Sequence, residues 1–487
     1  MFIVIKQVLS FEDLRQYLQL VEKMGELKIV DGADWNLEVG AITEIAAGKR
    51  EPPAILFDNI KGYPKGFKIL TNCGMTQSRT SIILGVDQDL RGLDLLRAYR
   101  DKMRNFKPVK PIEVDDGPIL ENTMTGDQVN LYKFPVPRWH ELDGGRYIGT
   151  GDVVVTKDYD EDWVNLGTYR VQLHEKNIVT IYISPSHHAR IMREKYWSKG
   201  EDFPVAISLG HDPTLFLAAT LSSPWGISEY DLAGYIKSKP IKVIKGAVTG
   251  LPFPAFSEIV IEGRMSCKSD DAITEGPFGE FTGYYAGGRR EERIVKVEAV
   301  HFRSNPIILG APPLKPPAAD TFGIPLNAAN VWEEIENVGV MGVKGVWDHL
   351  GLDNMFTVVS IRQLGPGHSQ QVGLASISGH AGSDMGRFVV IVDDDIDPSN
   401  LGEVIWAIST RCDPKTSMTI IDRCPSSPLD PRIDPERKSK SEFTNSRAII
   451  DATKPYEWFD KFPPVNTISS KLKSETLSKW KEVFSDN

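Results

Sequence analysis

Apolar residues in the first hundred positions of the chain alternate between a helical period and short continuous runs. The helical spacing is carried by Leu14, Tyr17, Leu18, Val21 and Met24. Ser10-Phe11-Glu12-Asp13 comes directly before this pattern and resembles a capping box, so a helix is predicted to begin there. Apolar runs at 27–30, 54–57 and 67–70 are typical of strands. Residues 1–113 are therefore predicted to form an N-terminal α/β domain.

The apolar period changes to two beyond residue 114. Runs that are typical of strands lie at 152–156, 178–182, 258–262 and 294–298. Glycine, proline and asparagine separate these runs, which favours a barrel or a sandwich over a doubly wound sheet. We therefore predict a central β domain over 114–310 and a proline-rich linker over 311–330.

Strands and helices alternate again over residues 331–487. Arg387 to Val392 predicts a buried strand, and Asp397-Pro398-Ser399-Asn400 predicts the cap of a helix at 403–410. One face of an amphipathic tail helix is predicted from the spacing of Leu472, Leu477, Trp480 and Phe484. Such a terminal helix is expected to dock, either on its own subunit or on a neighbour's. The predicted fold class of the whole chain is α+β.

The composition of the chain mainly excludes classes of protein and of partner. With 487 residues, 41% hydrophobic and 25% charged, the chain has the make-up of a globular protein of two or three domains. A formal net charge of -10 without a Lys/Arg-rich block argues against a nucleic-acid partner. The apolar run at 2–5 is too short for a signal-peptide core and no uncharged stretch has spanning length, so a cytoplasmic location away from membranes is expected. Four scattered cysteines, expected to be reduced and mostly buried, indicate neither a zinc knuckle nor a disulfide framework: Cys73, Cys267, Cys412 and Cys424.

Two carboxylates lie on a backbone broken by glycine and proline between residues 274 and 285. Glu275 and Glu280 are five residues apart, and Pro277 between glycines argues against a helix, so an extended turn is predicted. In a pocket, two converging carboxylates raise the proton affinity of one of them and make it an acid near neutral pH. On the surface, both glutamates would simply be solvated, and the residues alone leave both interpretations open.

Further residues are candidates for the same site. Asn165, His188 and Glu229 offer an amide oxygen, an imidazole and a carboxylate, a set that suits Mn or Mg better than zinc, especially if a phosphate completes the shell. Arg170, in a strand-rich region, could pair with both glutamates of the turn. A structural pair of histidines and a surface ion pair are the competing interpretations.

Four separated segments resemble the UbiD family of decarboxylases, which use prenylated FMN. They are Asn165 to Gln172, Ser186-His187-His188, Ser222-Ser223-Pro224 through Glu229, and Glu275 to Gly283. The likeness extends from Asp143-Gly144-Gly145-Arg146-Tyr147-Ile148 to Ser446-Arg447-Ala448-Ile449-Ile450-Asp451-Ala452, and therefore covers most of the chain in order.

The resemblance implies a fold and a set of cofactors. It implies a central split β-barrel similar to flavin reductases, and a C-terminal α/β domain that serves oligomerisation, so a homodimer or a dimer-based oligomer is expected. It implies prenylated FMN from a UbiX-like flavin prenyltransferase, Mn²⁺ or Mg²⁺ held against the flavin phosphate by Asn165, His188 and Glu229, and K⁺ nearby. The implied cofactor-binding positions are Asn165, Gly167, Thr168, Arg170, Gln172, His187, His188, Ser222, Ser223 and Glu229.

The resemblance also implies an activity. Arg170, Glu275 and Glu280 match the family's Glu-Arg-Glu network, in which the second glutamate is the proton donor. An aromatic or unsaturated acid loses CO₂ with difficulty because the electrons left behind are not delocalised, and a cofactor that adds covalently to the acid provides an electron sink. The implied reaction is the reversible non-oxidative decarboxylation of an aromatic, heteroaromatic or α,β-unsaturated carboxylic acid through a covalent prenylated-FMN adduct, with Glu280 protonating the carbon that lost CO₂.

The chain departs from the family at one place. Some members carry a lysine in the segment that here reads Gly379 to Gly386, and this chain has none between Leu374 and Gly386. His380 either replaces that lysine or faces the substrate, and His368 is either a pocket residue or a turn residue.

Two other functions stay open from the sequence. A flavin reductase-like oxidoreductase with plain FMN is one, because a split barrel alone does not select the reaction. A non-catalytic subunit of a carboxylase assembly is the other, although the retained Glu-Arg-Glu and metal sets count against it.

Overall fold

The computed structural model describes residues 9–185, 187–221, 223–315, 321–349, 354–383 and 385–484. Its N-terminal part contains both helices and strands. The elements of this part are α1 (Leu14–Lys23), β1 (Leu27–Asp31), α2 (Glu38–Ala47), β2 (Ala54–Asp58), β3 (Lys68–Thr71), α3 (Gln77–Leu84) and α4 (Gly92–Arg104). Strands β1 and β2 are parallel, and β3 pairs antiparallel with β2.

Helix α1 begins three residues later than the capping box predicted. Asp13 is its N-cap, and the Asp13 carboxylate accepts a hydrogen bond from the backbone N–H of Gln16 at 2.9 Å. The Gln16 side chain accepts from the N–H of Glu12 at 2.9 Å, so two free N–H groups are satisfied reciprocally. The prediction that Ser10 opens the helix was therefore wrong, because the N-cap is Asp13.

The central part consists mainly of strands. Its strands are β4 (Ile112–Glu113), β5 (Asn122–Thr125), β6 (Arg146–Gly149), β7 (Asp152–Lys157), β8 (Val164–Gly167), β9 (Arg170–Glu175), β10 (Ile178–Tyr182), β11 (Phe203–Leu209), β12 (Lys242–Lys245), β13 (Pro252–Pro254), β14 (Ile259–Met265), β15 (Ala272–Glu275), β16 (Arg290–Phe302) and β17 (Ile307–Leu309). Its helices are α5 (His188–Ser198), α6 (Pro213–Thr220) and α7 (Glu229–Lys237).

One ten-stranded antiparallel sheet dominates this part. The order is β6-β9-β10-β16-β14-β11-β7-β8, and the short strands β15 and β5 both pair with β16. Alternation along β7 places Val154 in one apolar core and Val153 and Val155 in another, so both faces of the sheet are covered. Strand β17 follows β16 in the chain but lies outside this sheet. It pairs in parallel with β3 and completes the N-terminal sheet. The mixed α+β class is thereby confirmed.

The C-terminal part is an α/β layer structure. Its elements are α8 (Leu326–Asn337), β18 (Val343–Asp348), β19 (Phe356–Ile361), α9 (His368–Ser378), α10 (His380–Ser383), β20 (Phe388–Asp393), α11 (Leu401–Arg411), β21 (Met418–Pro425), α12 (Pro435–Ser439), β22 (Thr444–Ala452), α13 (Ser470–Lys479) and α14 (Lys481–Phe484). The sheet order is β18-β19-β20-β22-β21, with α9 on one face and α11 on the other.

The tail does not dock on its own chain. Helices α13 and α14 contain no buried residue, and Leu472, Leu477, Trp480 and Phe484 are all exposed. Of the two docking alternatives, the one on the same subunit is therefore not observed.

The three parts share one apolar core. A single cluster contains Leu14 of the first part, Leu217 of the second and Trp332 of the third. Of the four cysteines only Cys73 is buried; the other three are half-buried and all four are free, so the expectation of mostly buried cysteines was wrong. Over the described ranges, none of the helices combines the length and the apolar character needed to cross a bilayer.

Candidate active site

Arg170 is held between the two glutamates that the sequence singled out. Its Nε and Nη2 donate to the two carboxylate oxygens of Glu275, each at 2.9 Å, and its Nη1 donates to Glu280 Oε1 at 2.6 Å. All three side chains are at most 10% exposed. The solvated-loop interpretation of the glutamates is therefore wrong, because both lie inside the protein and share one cation.

The sheet explains how these residues meet. Arg170 opens β9 and stands opposite Tyr182 at the end of β10, while Glu275 ends β15 opposite Arg290 at the start of β16. Since β9, β10, β16 and β15 are successive neighbours in the sheet, all four residues lie at one end of it. Glu275 belongs to a strand and only Glu280 lies in the following loop, which corrects the prediction of one extended turn over both.

Burial and charge shape the acid-base properties of this cluster. Burial raises the pKa of Glu280 above its ordinary value, although Arg170 and Arg290 act in the opposite direction. Burial alone lowers the pKa of Arg170, but the two carboxylates outweigh it and raise that pKa. The cluster therefore combines a permanent cation with one carboxyl group whose proton is retained to higher pH.

The backbone after Glu275 is fixed by close contacts that require glycine. Gly276 has φ of +83°, and its N–H donates to Gln172 Oε1 at 2.9 Å. A side chain at Gly144 would place its Cβ 1.9 Å from the Gly276 carbonyl oxygen, and the Gly144 N–H donates to Pro277 O at 2.8 Å. The Tyr147 hydroxyl lies 3.2 Å from both Gln172 Oε1 and Glu275 Oε1. Gln172, expected to line a cofactor, thus also braces the turn between the two glutamates.

A second polar site lies on the strand before β9. Asn165 is buried on β8, and Glu229, at the first position of α7, accepts a hydrogen bond from the N–H of Leu166 at 2.7 Å. His188 is half-buried at the first position of α5 and packs edge-on against Trp163 and Trp225, with ring centroids 5.3 and 5.4 Å away. Both helices contact β8, so the amide, the carboxylate and the imidazole belong to elements that converge on one strand.

The chemistry of this second site fits a cation from outside the chain. Burial raises the pKa of Glu229 to about 7, and among the residues that the structure describes no lysine or arginine forms an ion pair with it. Burial lowers the pKa of His188, which favours the neutral imidazole that metals bind. Among the residues that the structure describes, no three His, Cys, Asp or Glu side chains form a metal cluster by themselves. The set of Asn165, His188 and Glu229 contains two side chains of these types and an amide as the third group.

The other predicted cofactor residues occupy the surroundings of these two sites. Gly167 is buried at the end of β8, Thr168 is half-buried between β8 and β9, and His187 is the exposed N-cap of α5. The Ser223 hydroxyl lowers the pKa of Glu229, so it lies beside that carboxylate. Ser222 is outside the described residues.

A cavity of about 350 Å³ is lined in part by Phe281 of the loop that carries Glu280, whereas Arg170, Glu275 and Glu280 themselves are not among its lining residues. Its walls come from all three parts of the chain and are largely apolar, with Phe216, Phe281 and Phe322 among them. Phe281 directly follows Glu280, and Gly279 approaches Pro313 of the cavity wall, where an added Cβ would lie 3.7 Å from the Pro313 Cβ. The loop with Glu280 therefore forms part of the wall.

Of the three histidines in the C-terminal part, the two that the sequence left open make no contact with either site within the described residues. His368 begins α9, where Nε2 donates to Met341 O at 2.8 Å and Nδ1 accepts from the Leu364 N–H at 3.3 Å. His380 is exposed at the start of α10, and neither histidine lines the cavity. His368 is a structural residue, and the expectation that His380 faces a substrate has no support in the described residues.

Sequence reasoning missed Tyr147, Tyr182 and Arg290. The Arg170 guanidinium lies 4.6 Å from the centroid of the Tyr182 ring and the Arg290 guanidinium 3.9 Å from it. The tight hairpin between β9 and β10 carried a usable signal, because its register places Tyr182 opposite Arg170. Tyr147 and Arg290 had no comparable local signal.

Three models of one family match consecutive parts of the chain. They describe the N-terminal, Rift-related and C-terminal domains of 3-octaprenyl-4-hydroxybenzoate carboxy-lyase, UbiD, and they match residues 18–99, 110–316 and 320–452. The resemblance drawn from the four sequence segments is thereby confirmed.

Curated relatives and solved structures agree with these matches. A phenolic acid decarboxylase of Streptomyces sp. (strain D7) is 31% identical over 92% of this chain and 93% of its own. A pyrrole-2-carboxylic acid decarboxylase of Pseudomonas aeruginosa is 30% identical over 92% of each chain. The open form of Sedimentibacter hydroxybenzoicus vanillic acid decarboxylase (ShVdcCD) has a TM-score of 0.82 at 28% identity, covering 98% of this chain and 100% of that one. HmfF of Pelotomaculum thermopropionicum, solved with FMN, has a TM-score of 0.83 at 25% identity, covering 96% and 100%.

Proposed function

This chain belongs to the UbiD family of carboxy-lyases, and on that premise we propose that it catalyses the reversible, non-oxidative decarboxylation of an aromatic, heteroaromatic or α,β-unsaturated carboxylic acid with prenylated FMN. The observation that carries the proposal is the buried bridge from Arg170 to Glu275 and Glu280 beside a cavity. A buried carboxyl group that keeps its proton next to a fixed cation is suited to transfer that proton to carbon.

The three residues divide the work. An electron sink, which the protein's own groups cannot provide, would be supplied by prenylated FMN when it is bound. Arg170 orients the reacting carboxylate, because its guanidinium presents a fixed fork of donors. Glu275 holds Arg170 by two hydrogen bonds, and Glu280, bound through one oxygen only, delivers the proton to the carbon that has lost CO₂. In the carboxylation direction Glu280 accepts the proton instead.

Asn165, His188 and Glu229 are proposed to hold Mn²⁺ or Mg²⁺ against the phosphate of the flavin, with K⁺ nearby. The buried Glu229 carboxyl group, which forms no ion pair with a lysine or arginine of the described residues, supports this role, because a bound cation would stabilise its charged form. Further cofactor contacts are proposed for Gly167, Thr168, Arg170, Gln172, His187, Ser222 and Ser223. A UbiX-like flavin prenyltransferase is the proposed source of the cofactor.

The cavity supports a flat and largely apolar substrate. Aromatic side chains in its wall match an aryl or heteroaryl ring, which offers them a large apolar surface. Relatives that decarboxylate phenolic acids and pyrrole-2-carboxylic acid favour the same class.

The test uses protein coexpressed with a flavin prenyltransferase and protein made without it. Loaded protein is expected to show an altered flavin absorption spectrum and to catalyse deuterium exchange or CO₂ release on at least one member of a panel of aryl, heteroaryl and cinnamic acids. Protein with plain FMN is expected to be inactive on the same panel.

Two results would replace the proposal by its alternatives. Reduction of plain FMN by NADH or NADPH, with no turnover of acids after loading, would indicate a flavin reductase-like oxidoreductase. Absence of flavin binding in both preparations would indicate a non-catalytic subunit of a carboxylase assembly.

We also propose that the chain forms a homodimer through its C-terminal part. The exposed apolar residues of this part lie on α11, on β21 and on the tail helices: Leu401, Ile405, Trp406, Met418, Ile420, Leu472, Leu477, Trp480 and Phe484. An exposed set of this size is typical of an interface, and a second copy supplies the same apolar surfaces. Sedimentation of the full chain is expected to give a dimer, and the Leu477→Ser, Trp480→Ser variant is expected to give a larger monomer fraction.

A further inference from the structure

We propose that Arg290 is a positioning residue of the acid cluster, which fixes Glu275 and the loop that carries Glu280 and sets the pH range in which Glu280 keeps its proton. The inference rests on the proposed function, because it assigns Glu280 the role of proton donor. Arg290 is called a positioning residue because it acts through the glutamates.

Arg290 closes a ring of side chains at the end of the sheet. The Tyr182 ring contacts both guanidinium groups, that of Arg290 at 3.9 Å and that of Arg170 at 4.6 Å from its centroid. Arg170 binds Glu275 through two hydrogen bonds, and Arg290 Nε lies 3.8 Å from Glu275 Oε2. Glu275 is therefore held from two sides by cations that share one aromatic ring.

Arg290 also holds the acid loop, residues 276–289, which contains Glu280. Its Nη2 donates to Gly287 O at 2.9 Å. An added Cβ at Gly287 would lie 2.5 Å from Arg290 Nη2 and 2.9 Å from Glu280 Oε1. The side chains of Arg290 and Glu280 therefore meet at Gly287, and the absence of a side chain there lets them do so.

The charges around Glu280 come from four residues on several elements. Arg170 and Arg290 lower the pKa of Glu280 and Glu275 raises it, while burial raises it most. Lys438 of α12 interacts with Glu280 and donates to Ala286 O of the acid loop at 3.3 Å. Arg170 holds Glu280 directly, so its removal would disrupt the site. Within the described residues Arg290 makes no hydrogen bond to Glu280, so the charge of Arg290 can be removed while the contact between Arg170 and Glu280 stays.

The first experiment measures the protonation of Glu280 without turnover. Infrared spectra of the cofactor-loaded protein without substrate are recorded against pH, and the carboxyl band absent from Glu280→Gln is assigned to Glu280. In Arg290→Gln the midpoint of this band is expected to move to higher pH by about one pH unit, the size expected for loss of one nearby charge in a partly buried site. Arg289→Gln removes the same charge from the adjacent, exposed position and is expected to leave the midpoint unchanged.

The second experiment follows activity. A protonated donor is lost as pH rises through its pKa, so the alkaline limb of the kcat profile of Arg290→Gln is expected to move to higher pH together with the infrared midpoint. The plateau value of kcat is expected to be lower, because the loop is held less firmly. Arg290→Lys keeps the charge and loses the fork, so it should restore the limb but not the full plateau.

A midpoint that is the same in Arg290→Gln and the wild type, or a shift of equal size in Arg289→Gln, would overturn the inference. If Arg290→Gln does not fold, Gly287→Ala provides the same test, because its added methyl must displace Arg290 or Glu280, and an unchanged midpoint there would also overturn it. A protein that decarboxylates no acid would refute the proposed function, yet the infrared titration would still decide whether Arg290 controls Glu280.

Discussion

The acid cluster around Arg170 and the polar site around Glu229 both contact the β8–β9 segment. They differ in whether a cation of the chain faces the buried carboxylates. In the acid cluster two buried carboxylates face a buried guanidinium, with Arg290 close by. At the other site the equally buried Glu229 carboxylate accepts a hydrogen bond from the Leu166 N–H, and no lysine or arginine of the described part of the chain forms an ion pair with it. A buried charge is stable only when it is paired. The first site thus contains its own cation, whereas burial at the second raises the pKa of Glu229 to about 7, so this carboxyl group is readily buried without charge.

The largest effect is expected from the acid cluster. Glu280→Gln removes the transferable proton and preserves the shape, so turnover of the loaded protein should fall by about 10²–10⁴-fold, while the flavin spectrum stays that of the wild type. Steady-state kinetics and absorption spectra measure the two. Glu291→Gln, an exposed neighbour on β16, is the matched control and should retain activity. Full activity in Glu280→Gln would contradict its role as donor.

A second prediction compares the two sites by stability. Arg170→Met leaves two buried carboxylates without their cation, so the free energy of unfolding should decrease by about 3–5 kcal/mol. Denaturant unfolding with matched slopes measures it. The double variant Arg170→Met, Glu275→Gln should recover part of the loss because one of the stranded charges is gone. A loss below about 1 kcal/mol would mean that the cluster behaves as a surface ion pair.

A third prediction concerns the other site, where replacement of a buried charged residue is expected to increase the free energy of unfolding. The pKa of Glu229 is raised from 4.5 to about 7 in the folded protein, so its contribution to stability is complete below pH 4.5 and is lost as pH rises through about 7. Without metal, Glu229→Gln should therefore be more stable than the wild type above pH 7, by about 3 kcal/mol. Thermal unfolding with chelator measures the difference.

Mn²⁺ added to flavin-loaded protein sharpens the third prediction. It should raise the melting temperature of the wild type and of Glu275→Gln, and it should leave that of Glu229→Gln unchanged. An equal response of all three proteins would show that the ion binds elsewhere.

The smallest effect is expected from a residue that supports the acid cluster from outside. Tyr147→Phe removes the hydroxyl that lies 3.2 Å from both Gln172 Oε1 and Glu275 Oε1. The free energy of unfolding should decrease by about 1 kcal/mol, with turnover reduced far less than in Glu280→Gln. Tyr132→Phe, whose hydroxyl donates to a backbone carbonyl near the surface, serves as the control for loss of a hydroxyl. If the loss of turnover, expressed as activation free energy, exceeds the loss of free energy of unfolding, Tyr147 belongs among the groups that act on the proton.

Local patterns predicted the elements far better than their ends or their contacts. The capped helix α11 and the buried strand β20 follow from short-range periodicity, because Asn400 caps within one turn and the apolar run of β20 is buried on both faces. The cap of α1 was misplaced because two candidate side chains stood three residues apart and only the folded backbone selects Asp13. The pairing of Arg170 with both glutamates was anticipated as one alternative, and the family resemblance favoured it over a solvated turn.

By itself the sequence determined which residues form helices and strands, the family, and the residue types available for acid-base and metal chemistry, because these depend on neighbours within a few positions or on segments read in order. Only the tertiary structure decided that Arg170, Tyr182, Arg290 and Glu275 meet at one end of the sheet, that Glu280 is buried beside a cavity, and that the tail stays exposed. The reason is register and strand order: Arg170 and Glu275 are 105 positions apart in the chain, and the pairing of β9, β10, β16 and β15 brings them into contact.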